Sequence, residues 1–260
     1  MITSKDNELI KDCAKLISSA KYRREKGLFA AEGARLCTDG VISGSAPAVF
    51  LYTASARDKY KEEFSLINGA AERSEEISEG LFVKISDTSA PQGFLCIFHT
   101  LDKTDNSYKI NKQGRYAALE NIQDPSNIGT ILRTAEALGA DGVILSRDCC
   151  DIYSPKVVRG SMGAVFRLPV MIAEDMTAYI SDLTARGFNT YASTPHEAED
   201  ISALSFEDGG IMLIGNEGSG LRPETIAACG KSVRINMRGR AESLNAAAAA
   251  AILLFKLTEQ

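Results

Sequence analysis

Apolar positions in the second half of the chain switch between two periods. Short continuous apolar runs predict strands at 116–120, 142–146, 165–172, 188–193, 211–215 and 232–237. Between them, apolar residues recur at helical spacing and predict helices at 127–138, 175–186, 222–229 and 243–257. The clearest is DPSNIGTILRTAEALGA, residues 124–140, where Ile128, Ile131, Leu132, Ala135 and Leu138 form one stripe. Asn127 stands where an N-cap is expected and Gly139 where the helix should stop. The last helix is alanine-rich and apolar all round, so it is expected to be buried, with Ser243 as its cap. Strands alternating with helices predict an α/β fold with a mostly parallel sheet covered on both faces. Ligands of such sheets sit beyond the carboxyl ends of the strands.

The first hundred residues are more mixed. Strand-like runs occur at 49–53, 81–85 and 94–99, and helical stretches at 7–19, 33–42 and 57–68. The segment LDKTDNSYKINKQG, residues 101–114, has no apolar periodicity and suits a linker. The chain therefore divides into a small α/β domain, 1–105, and a larger one, 113–260.

Composition adds bounds rather than chemistry. The 260 residues are 45% hydrophobic and 24% charged, which is ordinary for a globular protein with a real core. The N-terminal MITSKDNELIKDCAK is too charged for a secretory signal, and the most apolar stretch, Ala246–Phe255, is too short to span a bilayer. A cytoplasmic location is expected. The six cysteines form no CxxC pair, and neither His99 nor His196 lies in a metal or triad pattern, so no metal is expected and both histidines read as structural or surface residues. The net charge is −5, yet residues 5–35 carry +3 and residues 222–240 carry +4, so local basic stretches sit on an acidic chain.

The turn after the first strand of the larger domain has a single glycine, which excludes a dinucleotide or P-loop fingerprint. A glycine-rich loop comes late instead, at LIGNEGSGLRPE, residues 213–224. Read in order, three segments resemble the motifs of the SpoU family of RNA ribose 2′-O-methyltransferases, in the SPOUT superfamily. They are ENIQDPSNIGTILRTAEALG, LIGNEGSGL and INMRGRAESLNAAAAAAILLF. IYSPKVVRGSMGAVFRLPV, residues 152–170, is also similar to that family. KYRREKGLFAAEG, residues 21–33, is similar to an L30e-like substrate-binding domain that precedes the catalytic domain in several rRNA-modifying members.

The resemblance implies a SPOUT domain with a C-terminal trefoil knot and S-adenosylmethionine as cofactor. It implies cofactor contacts at Gly215, Asn216, Gly220, Ile235, Met237 and Leu244. It implies catalytic roles for Asn127, Arg133, Glu217, Ser243 and Asn245, with Arg133 facing the ribose and its phosphate. The resemblance leaves two roles for Arg133, general base or stabiliser of the charge that develops on the ribose oxygen, and because a guanidinium is a poor base the second is the expected one. Lys21, Arg23, Arg24, Lys26, Lys156 and Arg159 are then candidate RNA contacts, and a homodimer is expected. The expected substrate is ribosomal RNA of the 23S type. The alternatives are a transfer RNA, or a non-catalytic RNA-binding or ribosome-assembly protein on the same fold.

Overall fold

A computed structural model of the chain describes residues 1–101, 109–195, 198–241 and 243–259. His196 and most of the expected linker, 102–108, lie outside the described residues. The described residues form two units. The first comprises Met1–Leu101 and Asp151–Phe166, and the second the described residues within Asp102–Cys150 and Arg167–Gln260. The segment 151–166, which the sequence pattern keeps in the larger domain, belongs to the first unit.

In chain order the first unit runs α1 (Glu8–Ser18), α2 (Ala20–Lys26), β1 (Leu28–Glu32), α3 (Ala34–Ile42), β2 (Val49–Tyr52), α4 (Ala54–Lys59), α5 (Lys61–Ala70), β3 (Ser74–Glu76), α6 (Glu79–Ile85) and β4 (Phe94–His99). Its sheet has the order β1-β4-β2-β3, with only the β2–β3 pair parallel. The second unit continues with β5 (Arg115–Leu119), α7 (Pro125–Ala137) and β6 (Gly142–Ser146). Then α8 (Pro155–Gly160) returns to the first unit, and α9 (Ala164–Arg167) ends at the boundary. The remainder is β7 (Val170–Ala173), α10 (Met176–Ala185), β8 (Thr190–Ser193), β9 (Glu199–Asp200), β10 (Gly210–Ile214), α11 (Pro223–Ala228), β11 (Lys231–Arg234) and α12 (Ala246–Thr258).

Among the described residues these strands make one seven-stranded sheet, order β7-β6-β5-β10-β8-β11-β9, every pairing parallel. Central strands β5, β6 and β10 are buried almost throughout, as parallel strands covered on both faces must be. No described helix is long and apolar enough to cross a membrane.

Local physics explains where the pattern and the structure differ. Residues 81–85 are helical, not extended, because Leu81, Phe82 and Ile85 share one buried face while Val83 between them is 62% exposed. A strand would bury alternate residues. Pro169 divides the expected strand 165–172 into α9 and β7. The expected helix 57–68 is two helices broken at Tyr60. Asp124, not Asn127, caps α7, because Pro125 takes the first helical position and the Asp124 carboxylate accepts from Ser126 N at 2.8 Å. Asn245, not Ser243, caps α12. Nor is α12 buried all round, since Ile252 and Phe255 on one side are 43% and 58% exposed.

One expected RNA contact is corrected outright. Arg23 is 4% exposed. Its Nε donates to Asp151 at 2.7 Å, and its Nη1 donates to the carbonyls of Leu16 and Ile17 at 2.6 and 3.0 Å. This guanidinium closes the end of α1 and anchors the 151–166 segment, so it has no reach to an external phosphate. The same segment seats Tyr153 against Phe29 (ring centroids 4.5 Å apart) and Phe166 against Phe98 (4.9 Å).

Two stability outcomes follow from these burials. Arg23→Ala leaves the half-buried Asp151 carboxylate without its ion pair, with Tyr153 N at 2.9 Å still donating to it, and is expected to cost about 3 kcal/mol, read from the urea midpoint. Burial pushes the thiols of Cys13 and Cys229 from 9.0 up to about 12. A raised folded value means that the stability these thiols contribute is complete below the unfolded value and lost as pH rises through the folded one. Denaturation midpoints should therefore fall between about pH 9 and 12, and the double Cys13→Ala, Cys229→Ala variant should show a shallower fall.

Candidate active site

The site is built where three chain segments end at one place in the second unit. After β5 the chain enters a tight turn. Asn121 adopts φ +56°, a left-handed conformation that asparagine tolerates better than most residues. Its amide N–H donates to the Ser146 hydroxyl at 2.9 Å. Asp124 then starts α7, and Asn127 on its first turn is only 7% exposed.

A buried amide needs partners. Asn127 Nδ2 donates to Glu217 Oε1, and Asn127 Oδ1 accepts from Asn245 Nδ2 at 3.0 Å. Asn245 Oδ1 is also occupied, accepting from Ala247 N at 2.9 Å and Ala248 N at 3.3 Å as the α12 cap. Every amide orientation in the chain from the α12 N-terminus to the Glu217 carboxylate is thereby determined. Asn245, at the head of an alanine helix, is both its cap and the partner of Asn127.

The glycine-rich loop after β10 is a closed hairpin. Asn216 N donates to Gly220 O at 3.1 Å, and Gly220 N to Asn216 O at 2.9 Å. A Cβ on Gly215 would collide with the backbone of Gly220 and Leu221, so only glycine fits there. Asn216 is spent on holding the loop. Its Oδ1 accepts from Gly218 N and Ser219 N, and its Nδ2 donates to Asn121 O at 2.8 Å. At Gly220 an added Cβ would meet nothing within 4 Å, so that backbone faces open space.

Beneath the loop lies Glu120, a carboxylate the sequence pattern did not single out. It is 1% exposed, accepts from Arg222 N at 2.8 Å and from the Thr225 hydroxyl at 2.7 Å, and pairs with Arg222 Nη1 at 3.6 Å. Only its place at the end of an apolar strand could have marked it. Arg222 also pairs with Asp148, and Arg147 with Glu174, so the polar cleft of about 600 Å³ at the carboxyl ends of β6 and β7 is lined by ion pairs. Cys149 braces the same turn: its thiol donates to Leu119 O at 3.3 Å and accepts from Ile122 N at 3.4 Å, and burial raises its pKa.

Ile235, Met237 and Leu244 are half-buried in the irregular stretch between β11 and α12. Ser243 is exposed and makes no hydrogen bond among the described residues. Arg133 is exposed and likewise has no hydrogen bond or ion pair among them. Six residues beyond Asn127, it lies about 120° around α7, so the structure does not bring it to the Asn127–Glu217–Asn245 network. Among the other candidates, Lys21, Arg24, Lys26 and Lys156 are exposed, and Arg159 pairs with Asp87 at 2.8 Å. Lys26 and Lys15 lie 5.5 and 5.3 Å from the centroid of the Tyr22 ring. No group of described residues could hold a metal ion.

Residues 114–255 match the family model described as the SpoU rRNA Methylase family, and residues 7–96 match an MRM3-like substrate binding domain. The chain is 27% identical over 256 residues to the Bacillus subtilis 23S rRNA (guanosine(2553)-2′-O)-methyltransferase RlmP, covering 98% of both. It is 38% identical over 144 residues to the Streptomyces viridochromogenes 23S rRNA (uridine(2479)-2′-O)-methyltransferase, covering 52% of this chain and 49% of that one. A crystal structure of AdoMet-bound rRNA methyltransferase from Sinorhizobium meliloti superposes with a TM-score of 0.86 at 30% identity, covering 98% of this chain and 96% of that one.

The double role of Asn245 can be separated by mutation. Asn245→Ala removes the cap and is expected to cost about 1–2 kcal/mol in thermal or urea unfolding. Asn245→Asp keeps the capping acceptor but loses the donor to Asn127. It should regain the capping part only at moderate salt and stay below wild type, because it sets a second carboxylate near Glu217.

Proposed function

The chain belongs to the SpoU rRNA methylase family, and from that premise we propose that it transfers a methyl group from S-adenosylmethionine to a ribose 2′-hydroxyl of 23S-type ribosomal RNA. The observation that carries this reading is the hydrogen-bonded chain Glu217–Asn127–Asn245, which ties the three motif segments to one point. A non-catalytic relative would be free to lose any of these polar residues, and this chain retains all of them along with Arg133 and Ser243. Relatives that act on 23S rRNA favour ribosomal over transfer RNA. Their modified nucleotides differ in base, which fits a centre that reacts at the ribose common to all four.

The residues suit the cofactor. Open backbone at Gly220, together with half-buried Ile235, Met237 and Leu244, offers a cradle for a flat adenine, and the Glu217 carboxylate is an anionic neighbour for a cationic sulfonium. Bound there, S-adenosylmethionine supplies an already activated methyl group. The protein's own task is to orient the ribose and to steady the charge left on the 2′-oxygen as its proton departs. Asn127 and Asn245 are fixed hydrogen-bonding groups for the ribose. Arg133 has the charge and the planar fork to hold the oxygen and the adjacent phosphate.

In this reading Arg133 serves the site of a second copy, since it points away from the network of its own chain. The exposed Ile252 and Phe255 on α12, which packs on α7, supply an apolar face for such a homodimer. The C-terminal chain forms a trefoil knot around the cofactor loops, residues 1–105 select the RNA, and residues 113–260 carry the chemistry. The protein works in the cytoplasm with its RNA.

Arg133→Ala should lower methyl transfer to 23S rRNA from cells lacking this protein by about 10²–10³, with S-adenosylmethionine affinity by calorimetry nearly unchanged. Arg133→Lys should recover little, because lysine lacks the fork. Near-normal transfer by Arg133→Ala would overturn the assignment, and no transfer by the native protein to any ribosomal RNA would overturn the function. Sedimentation should give a dimer at micromolar concentration, and Phe255→Glu should shift it toward monomer.

A further inference from the structure

The first unit contains a cavity of about 260 Å³ that no part of the methyl-transfer reading uses. It lies at the N-terminal end of α3. Leu36, Ala90 and Met162 give it apolar walls, and Arg35, Gln92 and Arg159 stand around them. Its rim is built rather than loose. The Glu32 carboxylate accepts from the Ser86 hydroxyl at 2.6 Å, the Thr88 hydroxyl at 2.6 Å and Asp87 N at 3.1 Å, which pins the loop after α6. Asp87 in turn pairs with Arg159 at 2.8 Å. Gln92 Oε1 accepts from Ala34 N at 3.0 Å and closes the first turn of α3, while its amide nitrogen makes no hydrogen bond among the described residues.

A second, independent observation comes from the backbone. Met162 has φ +50°, in the left-handed region, between Gly160 and Gly163. Residues with a side chain rarely adopt that conformation, whereas glycine does so freely. The chain nonetheless keeps a long apolar side chain at this position, 42% exposed, on the wall of the cavity. The left-handed residue just beyond the Ser161 cap ends α8, and here it also sets the Met162 side chain on the wall of the cavity.

We propose that this cavity takes one unstacked nucleobase of single-stranded RNA, stacked on Met162 and the Arg159 guanidinium. The inference rests on the reading of the chain as an RNA methyltransferase. The size suits a single ring system, being below the usual 300–1,000 Å³ of sites for larger ligands. Apolar walls beside a guanidinium plane are the surroundings in which splayed bases are held, and edge donors such as the Gln92 amide give selectivity. Exposed Arg35 at the mouth is available to the neighbouring phosphate. The site would choose a nucleotide by its base, which a centre acting on the ribose does not do.

The test uses the full chain and fluorescein-labelled RNA dodecamers rich in A, C, G or U, each paired with an abasic counterpart of equal charge. For at least one base, the native protein should bind the intact strand about tenfold tighter than the abasic one, the range expected for stacking one base. Ala90→Glu at the exposed rim and Met162→Gly, which suits the backbone better than methionine, should both reduce that ratio to near one. Neither should lower the melting temperature or S-adenosylmethionine affinity. A ratio near one in the native protein, or a native ratio retained by both variants, would overturn the site. Methyl transfer to ribosomal RNA by the native protein, measured in parallel, separates that failure from failure of the enzymatic reading.

Discussion

The buried side-chain amide of Asn127 is the constraint on which the site depends. An amide removed from water must have both its donor and its acceptor satisfied, or it costs roughly 1–3 kcal/mol per missing partner. Its two partners lie 90 and 118 residues away in the chain. The fold can satisfy this one residue only by bringing the glycine-rich loop and the head of α12 to the first turn of α7. Correct folding and assembly of the site are therefore one event.

Glu120 plays the corresponding part beneath the loop. A carboxylate at 1% exposure is tolerated only when its oxygens are occupied, and here they hold the start of α11 through Arg222 and Thr225. With Asn216 gripping the Asn121 carbonyl, the loop is fixed from both ends. Its shape is preset by hydrogen bonds that a ligand need not supply, so little ordering entropy remains to be paid on binding.

The architecture of the larger unit was legible because its strands are continuous apolar runs and its helices are amphipathic, two patterns that depend on neighbours only weakly. The expected strands 142–146 and 211–215 lie within a residue of β6 and β10. Legibility failed where a choice depended on geometry. Residues 81–85 are apolar enough for either period, and only the exposure of Val83 decides for a helix. Arg23 looks like any other surface base in a charged helix, and nothing local reveals that Asp151 waits for it. Asn127 was legible as a polar residue at a helix start but not as a buried one. The candidate site residues were proposed from the order of three motifs rather than from any single spacing, and Glu120 was not among them because a buried carboxylate has no signature of its own.

The segment 151–166 has a consequence for how this protein can be inherited and recombined. Its rings and its aspartate are packed into the first unit, while the chain on either side belongs to the second. No single cut in the gene separates the two units. A fragment that keeps everything after the linker carries Tyr153, Phe166 and Asp151 away from Phe29, Phe98 and Arg23. Each half is thus written partly in the other's stretch of sequence. Replacing the first unit with another therefore requires exchanging two separated stretches together, so the two units are bound to change as a pair.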